Sequence, residues 1–113
     1  MHEMSLCEGI IEIAEEQASI QNYSRVKSIR LEIGKLSCAE PEAMSFAFDA
    51  VSKGTIADGA RLDIDRVPGS GWCAECQKEI EIGQRYDACP LCEHYPLEIR
   101  AGDAMRIKDM EVE

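Results

Sequence analysis

Four cysteines in two pairs carry the clearest chemistry in the chain. Cys73-Ala74-Glu75-Cys76 and Cys89-Pro90-Leu91-Cys92 are C-x-x-C pairs separated by twelve residues. Two residues between thiols let a tight turn aim both sulfurs at one point, and two such turns complete a tetrahedron. The spacing therefore predicts a four-thiolate site of the structural zinc kind, built from Cys73, Cys76, Cys89 and Cys92. Iron would use the same ligands, so a rubredoxin-like electron carrier stays open at this level. A disulfide-stapled secreted module would need a signal peptide, which the first residues do not resemble. A thioredoxin-like redox pair would need a single C-x-x-C in a βαβ setting, and these segments are not placed that way.

A second donor set lies at the other end. The chain has two histidines, His2 and His94, and His2 is followed by Glu3 and preceded by Met1. The α-amine of Met1, the His2 amide nitrogen and the His2 imidazole can wrap one ion in two fused chelate rings. The fourth planar position would fall to the Glu3 amide nitrogen, its carboxylate or water. Ionising a backbone amide is costly, and Ni²⁺ and Cu²⁺ recover that cost best because they favour square-planar nitrogen fields. Zn²⁺ lacks that electronic preference and would choose the thiolates. A histidine in this place is ordinarily part of a frayed terminus. Here a helix start follows at once and anchors residues 1 to 4.

The elements that must hold these groups are short and amphipathic. Ser5-Leu6-Cys7-Glu8 reads as a capping box opening a helix that fades near Gln21-Asn22. Leu6, Ile10, Ile13, Ala14 and Gln17 follow one face, with Cys7, Ile11 and Ala18 beside it. Cys7 reads as a small core residue. A strand spans residues 25–36, where Ile29, Leu31 and Ile33 alternate with charge. A second helix starts at Pro41, a favoured first helical position, with Met44, Ala47, Phe48 and Val51 as its stripe and Lys53-Gly54 as its stop. Both Phe46 and Phe48 are expected in the core. A third element, residues 61–67, alternates Leu62 and Ile64 with Arg61, Asp63 and Asp65. Pro68-Gly69-Ser70-Gly71 reads as a linker into the cysteine lobe. Residues 97–113 read as a last strand or hairpin. Met105 and Ile107 share one phase, Met110 and Val112 the other, and a bulge near Asp109 would reconcile them. The expected fold is α+β: a small, mostly antiparallel three-stranded sheet with two helices, plus an inserted zinc-ribbon-like metal lobe. The expected division is residues 1–69 with 98–113 as one domain and residues 70–97 as the other.

Composition narrows the function classes. Twelve basic against twenty-two acidic residues give a formal charge of −10, which argues against binding nucleic acid through its phosphates. The cysteine lobe itself sets Lys78 and Arg85 against Glu75, Glu79, Glu81, Asp87 and Glu93. No apolar run approaches the ~18 residues of a membrane span. Six cysteines point to a reducing cytoplasm. No phosphate-cradling glycine loop, nucleophile–histidine pair or marked carboxylate pair is present, so no enzyme activity is expected.

Met1-His2-Glu3, the helix after it, Leu31-Glu32-Ile33-Gly34, Leu36-Ser37-Cys38, the paired cysteines and residues 107–113 together resemble the HypA/HybF family. The resemblance covers essentially the whole chain. It implies a nickel metallochaperone for maturation of nickel–iron hydrogenases, with some members serving urease. It further implies a nickel domain carrying Met1, His2 and Glu3, and a zinc domain held by Cys73, Cys76, Cys89 and Cys92. The implied partners are the hydrogenase large-subunit precursor and a maturation GTPase, and a homodimer is compatible with the sequence. The family often has a histidine directly after the last cysteine; here Glu93 intervenes before His94, so no ligand role passes to His94. Glu40 becomes an auxiliary nickel donor only if the fold brings it near His2. The alternative function is a zinc-ribbon interaction module without a nickel role.

Overall fold

The computed structural model describes residues 3–113, so Met1 and His2 lie outside the described residues. The element order is α1 (Glu3–Gln21), β1 (Val26–Gly34), α2 (Pro41–Val51), β2 (Arg61–Val67), β3 (Gly69–Cys73), β4 (Lys78–Ile82), β5 (Glu98–Ala101) and β6 (Met105–Val112). The strands form two three-stranded sheets, ordered β2-β1-β6 and β4-β3-β5. The chain divides into two compact units. One comprises Met1–Leu31, Cys38–Asp65 and Arg106–Glu113; the other comprises Glu32–Ser37 and Arg66–Met105.

In the first unit, α1 and α2 pack against each other. Cys7, Ile10, Ile11 and Ala14 are buried from α1, and Met44, Ala47 and Phe48 from α2. Each set follows the three-and-four spacing of one helical face. Two sequence expectations are corrected here. Helix α1 already includes Glu3, so Ser5 is an exposed residue inside the helix and the expected capping box does not form. The buried stripe also sits one step round from the expected one, leaving Ile13 45% exposed. Residues two apart on a helix point about 200° apart, so a helix that buries Phe48 cannot also bury Phe46. Phe46 is accordingly 80% exposed, not in the core.

The β2-β1-β6 sheet explains how α2 is placed. Val26 N–H donates to Ile56 O and Lys35 N–H to Val67 O, so pairing advances in the same direction on both segments. Strand β2 therefore runs parallel to β1, with α2 in the crossover that a parallel pair requires. Strand β6 is antiparallel: Arg25 and Glu113 exchange backbone bonds, and Gly34 N–H donates to Ala104 O. Three of the four strand pairs among the described residues are thus antiparallel, as the fold class anticipated.

In the second unit, β3 is the central strand. It pairs antiparallel with β4, from Gly69 opposite Ile82 to Cys73 opposite Lys78, and antiparallel with β5. Its core is small: Leu36, Cys73, Ile80, Ile82, Cys89 and Leu97. The expected linker is therefore in error from Gly69 onward, because Gly69–Cys73 is a strand. The glycines serve closeness, not flexibility. A Cβ on Gly69 would stand 2.6 Å from Leu36 Cγ and 2.7 Å from Ile82 O, and one on Gly71 would stand 3.1 Å from Leu97 Cβ. The expected terminal hairpin is corrected as well, since β5 and β6 join different sheets. Gly102, with φ +85, makes the turn between them.

Candidate metal centre

Strand β3 delivers Cys73 to the start of a tight turn, and β4 takes the chain away two residues after Cys76. Gln77, with φ 52, closes that turn in the left-handed region. Inside it the Cys76 N–H points at Cys73 Sγ, 3.4 Å away. The second knuckle repeats the idea without strands. Glu93 N–H donates to Cys89 O at 2.7 Å, Cys89 N–H to His94 O at 2.9 Å, and Glu93 takes the left-handed φ of 63.

The two knuckles bring all four sulfurs together. Cys73 Sγ lies 3.5 Å from Cys92 Sγ, Cys76 Sγ lies 3.9 Å from Cys89 Sγ, and all four fall within 4.8 Å of one another. Disulfides are excluded, because an S–S bond is about 2.05 Å long. Four sulfurs at about 2.3 Å from one Zn²⁺ would stand ~3.8 Å apart along a tetrahedron's edges, so the spacing fits a bound ion. Cys73 and Cys89 are buried, whereas Cys76 is half-buried and Cys92 exposed.

Protonation responds to this crowding. The Cys76 thiol is pushed up to about 12, chiefly by its hydrogen bond with Cys92 and by burial. At Cys89 burial works in the same upward direction. The backbone N–H groups of Cys92 and Leu91 and the neighbouring thiols outweigh it, bringing Cys89 down to about 7. Four thiolates held this close would repel one another, and a divalent cation relieves that repulsion by stabilising all four anions together.

His94 stays beside this centre rather than in it. Its carbonyl accepts from Cys89, and its Nδ1 lies 4.0 Å from Glu75 Oε1, between the two knuckles. This pairing across the knuckles had no sequence signal, because Glu75 and His94 are nineteen positions apart with no periodic relation. The remaining cysteines are separate: Cys38 is exposed, and Cys7 is buried with its thiol donating to Met44 O at 3.4 Å.

At the other candidate site, Met1 and His2 lie outside the described residues. Glu3 begins α1, and its Oε2 stands 3.5 Å from the backbone nitrogen of Glu40. Glu40 is the N-cap residue of α2 and makes no side-chain cap bond of its own. The first turn of α1 and the start of α2 are thus brought together, with the Glu3 carboxylate toward the partly positive end of a helix.

Comparison with known proteins agrees with this architecture. Residues 1–112 match the family model described as hydrogenase/urease nickel incorporation, metallochaperone, hypA. The chain is 53% identical to the hydrogenase maturation factor HypA of Rhodopseudomonas palustris strain BisA53 and 50% identical to that of Azotobacter chroococcum mcd 1, over all of both chains in each case. The solution structure of the Ni metallochaperone HypA from Helicobacter pylori superposes with a TM-score of 0.70 at 24% identity, covering 99% of this chain and 97% of that one. A further solution structure of a HypA protein gives a TM-score of 0.72 at 24% identity over 99% of this chain and 96% of the other. The chain belongs to the HypA family of nickel-incorporation metallochaperones, which are maturation factors rather than enzymes.

Proposed function

We propose that this protein carries Ni²⁺ at its N-terminus and helps insert it into the large-subunit precursor of a nickel–iron hydrogenase. Family membership over residues 1–112 supports the maturation role. The observation that carries the division of labour is the geometry of the four cysteines, whose sulfurs all lie within 4.8 Å of one another. Four thiolates fill a tetrahedral shell and leave no open position, the mark of a structural zinc site rather than an exchange site. Cargo must then be held elsewhere. The Met1 α-amine, the His2 amide and imidazole, and Glu3 form the donor set suited to Ni²⁺ by its preference for square-planar nitrogen.

In this reading the second compact unit, which contains residues 70–97 together with strand β5, is the zinc domain, with Cys73, Cys76, Cys89 and Cys92 as ligands. The first unit, with both helices, is the nickel domain. The protein works in the cytoplasm with a maturation GTPase, and it serves as carrier without turning over substrate. Glu3 supports the N-terminal assignment in one respect: its carboxylate lies against the Glu40 backbone nitrogen, so the first turn of α1 has a partner beyond its own helix. The experiment is a Ni²⁺ titration of untagged, zinc-loaded protein beside His2→Ala. Loss of the nickel band in His2→Ala with zinc retained supports the proposal; unchanged nickel binding overturns it.

A further inference from the structure

The first unit carries an apolar groove that its described residues leave uncovered. Glu3 and Met4 on α1 and Ala43, Phe46 and Ala47 on α2 line it, and its volume is about 400 Å³. Phe46 is 80% exposed and Met4 49% exposed. Spacing on α2 keeps the groove open. Ala43, Ala47 and Phe46 lie on adjoining turns, and the two alanines leave room beside the aromatic ring. An exposed phenylalanine on a helix that already buries Phe48 contributes nothing to this unit's core.

A second observation concerns charge. Helices α1 and α2 contain no lysine or arginine at any position, whereas they carry Glu3, Glu8, Glu12, Glu15, Glu16, Glu42 and Asp49. All twelve basic residues of the chain lie outside these two helices. Glu42 and Asp49 stand one turn before and one turn after Phe46, and Glu8 one turn after Met4. The groove is therefore lined by apolar side chains and Glu3, with further acidic residues one helical turn from Phe46 and Met4 and no lysine or arginine on either helix to balance them.

We infer that this groove is the docking site for a basic amphipathic helix of a partner protein, which lays its apolar face on Met4, Ala43, Phe46 and Ala47 and its lysines or arginines against these acidic residues. Helix-in-groove recognition works in this way, with apolar anchors giving affinity and complementary charge giving orientation and rate. Uniform acidity disfavours a second copy of this chain, since two such faces would oppose like charges. It also disfavours an anionic membrane surface. Because Glu3 lines the groove, a helix seated there would lie against the one described residue of the proposed nickel donor set. This last point alone rests on the function proposed above.

The test uses full-length, zinc-loaded protein and a synthetic Leu/Lys amphipathic helix labelled for fluorescence anisotropy, with a Leu/Glu twin as control. The expected result is saturable binding of the lysine peptide and none of the twin, with amide shifts confined to the neighbourhoods of Met4, Ala43, Phe46 and Ala47. Phe46→Ser should weaken binding by at least about tenfold, as loss of a central aromatic anchor does, and Glu42→Lys with Asp49→Lys should weaken it and reduce its salt dependence. Ile13→Ser, at an exposed apolar position outside the groove, should leave binding unchanged and serves as the specificity control. Equal binding by Phe46→Ser, shifts spread over the glutamates of α1 alone, or a self-association that Phe46→Ser abolishes would each overturn the inference. Peptide binding in the absence of nickel is expected, so failure of the nickel site and failure of the groove give separate results.

Discussion

Substituting alanine for glycine at two positions should move stability in opposite directions, and the structure sets both magnitudes. In Gly34→Ala the new Cβ would stand 1.9 Å from Gly102 O and 2.1 Å from Gly102 C. Ordinary contact begins near 3.4 Å, so the backbone must retreat by roughly 1.5 Å, since interiors have no slack to absorb a methyl group. The obstructing oxygen is itself in use, accepting from Leu36 N–H at 2.8 Å, and Gly34 N–H donates to Ala104 O at 2.9 Å. Loss of both bonds at about 1 kcal/mol each, with residual strain, gives a destabilisation of about 3 kcal/mol. Gly9, in the middle of α1, has nothing within 4 Å of the point where a Cβ would stand. Gly9→Ala should therefore stabilise by about 0.5–1 kcal/mol through helix propensity. Urea titration of the zinc-loaded proteins, followed by circular dichroism and Trp72 fluorescence, reads both. A Gly34→Ala protein within ~1 kcal/mol of wild type would refute the close-approach argument, because no flexible side chain is available to yield there.

Three further outcomes follow from burial and protonation. Phe48→Ala should cost about 3–5 kcal/mol as a core truncation, whereas Phe46→Ser should stay within ~0.5 kcal/mol of wild type because its ring is exposed; denaturant midpoints compare them. The Cys7 thiol is pushed up to about 11 by burial and by the Glu3 carboxylate. The folded state therefore holds this proton more tightly than the unfolded one, so its contribution is complete below pH ~9 and is lost as pH rises toward 11. The stability difference between wild type and Cys7→Ala should shift against wild type across that window by an amount on the order of 2–3 kcal/mol, measured by urea titration at each pH. Chelation of the metal should change Trp72 fluorescence while most of the helical circular dichroism remains. Cys73 and Cys89 belong to the six-residue core of the second unit, whereas both helices belong to the first.

Much of this architecture was legible from periodicity and spacing. The positions of β1, α2 and β2 follow from alternation, from Pro41 and from the Met44, Ala47, Phe48 face. The convergence of Cys73, Cys76, Cys89 and Cys92 follows from their spacing. Where expectation and structure differ, the determining contact is mostly non-local. Gly69 and Gly71 look like linker residues in one dimension, but they are the price of bringing β3 against Leu36, Ile82 and Leu97. The register of β5 and β6 in separate sheets depends on β3 and β1, which lie far away in sequence. Phe46 was misplaced because hydrophobicity alone puts an aromatic inside, whereas helix geometry admits only one of two phenylalanines two residues apart. The start of α1 before Ser5 shows the weakness of local capping signals at a terminus.

Whether nickel is carried at the N-terminus while the cysteines form a closed structural centre can be decided by one titration. Ni²⁺ is added to zinc-loaded protein with a native Met1 and to the same protein extended by one residue ahead of Met1, and spectra and bound zinc are followed together. The expected result is a square-planar nickel band without thiolate charge transfer in the first, its loss in the second, and full zinc retention in both. Equal nickel binding by the extended protein, or nickel binding that displaces zinc and brings a thiolate charge-transfer band, would contradict the N-terminal site.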